Sequence, residues 1–135
     1  MKNHAREIYK CPKCHLAVEI ASPCGCDEPC MRCCGEKLLP VISNSCDDAD
    51  REKHVPHARR TADGTIAVQI GSTEHPMTEA HHIVWIELVN GDWSLRKYLH
   101  PGEKPAAEFK LCCNKQEKIT VRAYCNIHGL WAAEV

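Results

Sequence analysis

Apolar residues in the second half of the chain recur with the period of a β-strand. Ile66, Val68 and Ile70 alternate with polar or small residues, which puts one apolar face on that segment. Residues 82–89 are a nearly continuous apolar run containing Trp85. Further short runs lie at 95–99, 107–111, 119–124 and 130–133. Turn signals separate them: Asp63-Gly64, Asn90-Gly91, Pro101-Gly102 and Asn114. Several short strands at this spacing predict an all-β sandwich or barrel. No helical period of any length appears, and there are no internal repeats or low-complexity segments.

The first quarter of the chain has a different pattern. Its large apolar residues are few: Ile8, Leu16, Val18, Ile20, Leu38 and Leu39. So small a set cannot drive folding by burial alone. The same segment holds seven cysteines, Cys11, Cys14, Cys24, Cys26, Cys30, Cys33 and Cys34. A bound metal supplies the stabilisation that the apolar residues lack. The expected organisation is a metal-nucleated domain over residues 1–42, a polar linker over 43–50, and a β domain over 51–135. Cys46 lies in the linker with no close cysteine neighbour.

Composition changes this picture in one respect. The chain has 135 residues, 44% hydrophobic and 26% charged, with a net charge of -1. These values describe an ordinary globular protein, with no global field toward nucleic acid or an anionic membrane surface. No apolar run is long enough to span a bilayer. The charged N-terminal residues 1–10 lack the apolar stretch of a signal peptide, so a cytoplasmic location is expected. The total of 11 cysteines and 9 histidines is what stands out. In a reducing compartment such a set points to metal binding rather than disulfides.

Two constellations carry the chemistry. Cys11-Pro-Lys-Cys14 is a CxxC knuckle whose two thiolates can grip one metal. Its partners are Cys33-Cys34, or the alternative pair Cys30 and Cys33. Four thiolates suit zinc or iron, and spacing alone does not choose. The blander reading is a structural zinc ribbon. Against it, adjacent residues in an extended chain point to opposite sides, which strains a vicinal pair binding one metal. Cys24 and Cys26 could be spare thiols or a further ligand pair, and the favoured reading of both is a small buried hydrophobe.

The second constellation groups histidines around one cysteine. Glu52-Lys53-His54-Val55-Pro56 opens it, His75-Pro76-Met77 and His81-His82 follow, and Cys125-Asn-Ile-His128-Gly129 closes it. One thiolate with several neutral imidazoles suits zinc, copper or iron. His54, His75 and His81 sit beside turn signals or strand starts, where a loop can aim them inward. His4, His15, His57, His82 and His100 read as surface or hydrogen-bonded residues. A strand points His81 and His82 to opposite faces, and periodicity does not say which one faces the site. A thiolate enriches an iron in electron density, and an open position there can take a small oxygen species. Lys53 would attract an anion to it, and Glu52 could occupy it otherwise. The plainer reading of Glu52 and Lys53 is a solvated charge pair.

Together these motifs resemble the desulfoferrodoxin and superoxide reductase family. Tyr9-Lys-Cys11-x-x-Cys14 with Cys33-Cys34 is similar to the family's desulforedoxin-type centre. Glu52-Lys53-His54-Val55-Pro56, His75-Pro76-Met77-x-x-x-His81 with Trp85-Ile86-Glu87, and Cys125-Asn-Ile-His128-Gly129-x-Trp131 resemble its other motifs. The match runs in the family's order over nearly the whole chain.

The resemblance implies a mainly β fold: a small desulforedoxin-like N-terminal domain and an immunoglobulin-like sandwich. It implies iron bound by Cys11, Cys14, Cys33 and Cys34, and a catalytic ferrous iron bound by His54, His75, His81, His128 and Cys125. It thereby selects His81 over His82. The implied activity is one-electron reduction of superoxide to hydrogen peroxide, an oxidoreductase reaction in which Glu52 and Lys53 assist. The implied partners are superoxide, a rubredoxin-like electron donor and a second copy of the chain. Departures concentrate at the first centre: His15 replaces a glycine after the knuckle, and Cys24, Cys26 and Cys30 are extra. Cys112-Cys113 reads as a pair of strand residues. The alternatives weighed are an electron carrier without an open position, a superoxide dismutase, and a zinc-ribbon binding module. The last would leave the histidine cluster without a common role.

Overall fold

The computed structural model describes residues 3–27, 29–46, 50–111 and 118–135. Cys112, Cys113 and the turn signal at Asn114 lie outside the described residues. The chain divides into two compact units, Met1–Ile42 and Ser43–Val135.

The first unit is built of short strands. β1 (Ile8–Lys10) lies between β2 (Ala17–Glu19) and β5 (Leu39–Val41), both antiparallel to it. β3 (Arg32–Cys33) and β4 (Glu36–Lys37) form a separate hairpin. The buried core is Tyr9, Cys11 and Leu38, with Val18, Ile20, Met31 and Cys33 packed against it. Two of those seven are cysteines, so apolar burial alone is thin here.

The second unit is a β-sandwich. After one helical turn, α1 (Arg51–His54), come β6 (Pro56–Arg60), β7 (Thr65–Ile70), β8 (Ile83–Asn90), β9 (Trp93–Tyr98), β10 (Ala106–Lys110), β11 (Thr120–Cys125) and β12 (Gly129–Glu134). The sheets run β10-β7-β6 and β12-β11-β8-β9, with every pair antiparallel. Seven strands in sheets of three and four make an immunoglobulin-like arrangement. The alternating Ile66, Val68 and Ile70 face Ile86, Leu88, Val121 and Ala123 across a common core with Phe109. Each fully buried isoleucine of that core contributes ~1.5–3 kcal/mol.

The alternation locates β7 to β12 within a residue or two of their ends. It misses β6 and α1. β6 is an edge strand of sequence Pro-His-Ala-Arg-Arg, mostly exposed, with no apolar stripe to read. α1 is too short to show a period. Local chemistry starts it instead: the Asp50 side chain accepts from the Glu52 amide at 3.0 Å.

Within the stretch 43–46, Asn44 is tied to β12. The Asn44 amide donates to the Leu130 carbonyl at 2.9 Å. The Asn44 side chain pairs with both backbone groups of Ala132, at 2.8 and 3.0 Å.

Candidate metal centres

The loops at one end of the sandwich carry the histidine cluster. α1 exposes Glu52 and Lys53 and buries His54. Gly71 lets that turn approach β7. Its φ is +84°, and a Cβ there would lie 2.7 Å from the Glu52 carbonyl oxygen and from the Lys53 Cα. His75 follows on the same loop, its amide bonded to the Ile70 carbonyl at 3.3 Å. His81 precedes β8. A register shift between Tyr124 and Cys125 moves Cys125 from its expected partner to Ile83. A bulge of this kind re-aims a side chain. The β11–β12 connection then carries His128, whose amide points at Cys125 Sγ at 3.4 Å.

His54, His75, His81 and Cys125 offer donor atoms that all lie within 4.8 Å of one another. His128 joins them, with Nδ1 3.1 Å from His54 Nε2 and 3.9 Å from Cys125 Sγ. The His81 ring stands 4.7 Å from that of His75 and 4.9 Å from that of His128, centre to centre. His82 turns elsewhere, with Nδ1 3.0 Å from the Thr78 carbonyl. His4, His15, His57 and His100 are exposed.

The hydrogen bonds around the cluster fix its tautomers. His54 Nδ1 lies 2.7 Å from the Asp50 carbonyl, and His75 Nδ1 lies 2.6 Å from the Pro76 carbonyl. A carbonyl only accepts, so both Nδ1 atoms carry hydrogen and both Nε2 atoms are bare. Those two Nε2 atoms are 3.0 Å apart in a buried site. Two lone pairs held face to face repel unless a cation lies between them. A proton is a poor candidate: burial pushes the His75 pKa down to about 3. Burial also lowers His54 and His81, and the Lys53 charge adds to the effect at both. His81 Nε2 is buried without a hydrogen-bond partner. This donor set suits a metal, with Asp50 and Pro76 orienting two of the rings.

Trp131 walls the site. It is fully buried, with its ring 4.9 Å from that of His54. The Arg51 guanidinium lies 5.9 Å from the centre of the Trp131 ring. The sequence marks Trp131 only as part of the closing motif; its contact with His54 is a tertiary feature.

The first unit gathers the second donor set. Cys11, Cys14, Cys33 and Cys34 bring four sulfurs within 4.8 Å of one another. Cys14 Sγ is 3.5 Å from Cys33 Sγ, which is 3.8 Å from Cys34 Sγ. A tetrahedron with metal–sulfur bonds of ~2.3 Å has edges of about 3.8 Å. The vicinal pair escapes the alternation of a strand because Cys34 and Gly35 are the two central residues of the β3–β4 turn. Their φ values are +54° and +73°, the mark of a type I′ turn. That turn swings Cys34 back beside Cys33. His15, which follows the knuckle, has φ +65°, a conformation that glycine adopts more easily.

The Cys11 and Cys33 thiol pKa values are pushed in opposite directions. The Cys14 and Lys13 amides pull Cys11 down to about 7. Thiol–thiol bonding with Cys14, then Cys11, pushes Cys33 up to about 12. Cys24, Cys26 and Cys30 are exposed and outside the group; Cys24 and Cys26 are therefore not the small buried hydrophobes expected, because their loop lies on the surface of the unit. None of the nine described cysteines is in a disulfide.

The chain is similar in sequence and fold to known proteins. Residues 46–134 match the desulfoferrodoxin family. The chain is 45% identical over 128 residues to the desulfoferrodoxin of Nitratidesulfovibrio vulgaris, covering 95% of each chain. It is 35% identical over 99 residues to the superoxide reductase of Pyrococcus horikoshii, covering 62% of this chain and 86% of that one. Its fold superposes on the superoxide reductase of Treponema pallidum with a TM-score of 0.65 at 28% identity, covering 95% of this chain and 99% of the other. With two donor sets for two iron centres and a family match over most of its length, the chain belongs to the desulfoferrodoxin family.

Proposed function

We propose that this chain reduces superoxide to hydrogen peroxide, one electron at a time, at an iron held by His54, His75, His81, His128 and Cys125. The observation that carries the assignment of the ligands is the pair of bare Nε2 atoms of His54 and His75, 3.0 Å apart and aimed at each other. Ferrous iron held by these five residues would supply the electron, and the Cys125 thiolate would raise its electron density.

The protein's own residues do the rest. Asp50 and Pro76 lock the His54 and His75 rings with Nε2 inward. The His128 amide, pointing at Cys125 Sγ, moderates the thiolate charge. Burial keeps the imidazoles neutral and available as donors. Lys53, exposed on the turn that carries His54, draws the superoxide anion toward the cluster. Glu52 beside it is a carboxylate that can cover the site after turnover. The two protons of the product come from solvent.

Cys11, Cys14, Cys33 and Cys34 hold the second iron, and the same sulfurs would accept zinc. A rubredoxin-like protein is the proposed electron donor, and a cytoplasmic homodimer the proposed working form; both rest on the family. Among the described residues no helix is long and apolar enough to cross a membrane.

The test is a pair of variants read by metal content. Cys125→Ser and His75→Ala should each lose one iron, lose superoxide reduction and keep the optical bands of the four-sulfur centre. Retention of both irons and of full activity in either variant would overturn the ligand assignment.

A further inference from the structure

The first unit carries a thiol pair that neither donor set uses. Cys24 and Cys26 flank Gly25 in an exposed loop. That loop hangs on one buried side chain. Asn3, 4% exposed, donates from Nδ2 to the Cys26 carbonyl at 2.8 Å and to the Cys24 carbonyl at 3.3 Å. Its Oδ1 accepts from the Cys24 amide at 2.9 Å. The same Nδ2 lies 3.2 Å from Cys24 Sγ.

With two hydrogens for three acceptors, this amide gives one to the Cys26 carbonyl and shares the other between the Cys24 carbonyl and the exposed Cys24 sulfur. A donor so placed favours thiolate over thiol, and the thiolate is the nucleophile. The Cys26 backbone amide acts in the same direction, and together with Asn3 it holds the Cys24 thiol below its ordinary range. Cys24 Sγ also lies 3.8 Å from the Cys26 carbonyl oxygen, which accepts from the thiol form, and the two cysteines are two residues apart in the chain. A Cβ on Gly25 would meet nothing within 4 Å, so the residue between the two cysteines has open space beside it.

We propose that Cys24 and Cys26 are a redox-active dithiol that is oxidised by hydroperoxide. The Cys24 thiolate attacks one oxygen of hydrogen peroxide and the O–O bond breaks. The leaving oxygen departs as water with a solvent proton, and the sulfur becomes a sulfenic acid. The Cys26 thiol then loses its proton and attacks that sulfur. The S–S bond forms and the sulfenic hydroxyl leaves as a second water. Two thiols and one peroxide give one disulfide and two waters; the sulfurs lose two electrons and the peroxide gains them. A dithiol reductant restores the pair. The proposed superoxide reaction supplies the peroxide, and the inference rests on that reading only for the source of its oxidant.

The test uses the iron-loaded full chain and added hydrogen peroxide, so it does not depend on superoxide reduction. Free thiols are alkylated at intervals and mapped by mass spectrometry. Cys24 and Cys26 should be lost together, several-fold faster than the equally exposed Cys30, and return on dithiothreitol treatment. The fragment should show a Cys24–Cys26 bond, and the absorption of the four-sulfur centre should be unchanged meanwhile. Cys26→Ser should stop the reaction at Cys24 sulfenic acid, trapped as a dimedone adduct. Asn3→Ala should slow the loss of Cys24. Loss of Cys30 as fast as Cys24, a Cys24–Cys30 bond, or no adduct in Cys26→Ser would overturn the proposal.

Discussion

His54 Nε2 faces His75 Nε2 at 3.0 Å, and each ring gives its other nitrogen to a backbone carbonyl. The protein thus spends folding energy to aim two lone pairs at one point. A cation there relieves the repulsion, so metal binding and folding of this end of the sandwich are coupled.

That coupling has a pH signature in the metal-free protein. His75 has a folded pKa of about 3, below the ordinary 6.5, because burial disfavours its charged form. Its neutral form therefore supports the fold fully above the unfolded pKa. The support is lost as pH falls through the window from 6.5 toward 3. His54 and His81 shift in the same direction. Denaturant titrations of metal-free protein, followed by the tryptophans of the second unit, should show stability falling steadily as pH drops below 6.5. The limiting slope is about 1.4 kcal/mol per pH unit for each histidine concerned. A flat profile through that window would remove the buried neutral histidines from the account.

Gly71 is the backbone hinge of the site. Gly71→Ala sets a Cβ against the Glu52 carbonyl and Lys53 Cα at 2.7 Å, at a φ that disfavours any side chain. The turn bearing His54 must move. A cost of ~2–4 kcal/mol is expected in the second unit, with weaker retention of the histidine-bound iron. Thermal unfolding with metal analysis checks it. Unchanged iron retention would show that His54 is held independently of this contact.

Lys53→Ala should slow superoxide capture a few-fold at low ionic strength and flatten the dependence of the rate on salt. Iron content should be unaffected, because Lys53 is exposed and outside the donor set. Rapid-mixing or pulse-radiolysis rates at two salt concentrations decide this. An unchanged rate at low salt rejects the steering role.

The sandwich has its own electrostatic lock away from the site. Buried Glu87 is 2.8 Å from Arg96 and 2.8 Å from Arg122. Arg96 also stacks 3.9 Å above the Trp85 ring. Glu87→Gln leaves two guanidinium groups without their carboxylate and should cost about 3–5 kcal/mol. Iron content at the histidine site should remain normal, which separates this loss from damage to the site.

How much of this was legible beforehand follows from the kind of signal involved. The stripe Ile66, Val68, Ile70 survives as the inner face of β7 because one side of a strand must be apolar to be buried. The Pro56–Arg60 strand was not legible, since an exposed edge needs no stripe. The residue types and spacings around His54, His75, His81, Cys125 and His128 named a metal-ligand chemistry. They did not show the bulge that aims Cys125, the Asp50 and Pro76 carbonyls that set the tautomers, or the Trp131 wall. In an extended chain, Cys33 and Cys34 would point to opposite sides and strain a shared metal. The left-handed turn at Cys34 and Gly35 replaces the extended geometry that would have caused it.

The most direct test of the central claim is the stoichiometry of one turnover. The ferrous two-iron protein is mixed with a known amount of superoxide, and hydrogen peroxide and dioxygen are both measured while the optical spectrum is followed. A reductase gives one peroxide per superoxide consumed, no dioxygen, and a new thiolate-to-iron band as the histidine-bound centre is oxidised. One peroxide and one dioxygen for every two superoxide ions would mean dismutation, and no spectral change would mean that the histidine cluster is not the reacting centre.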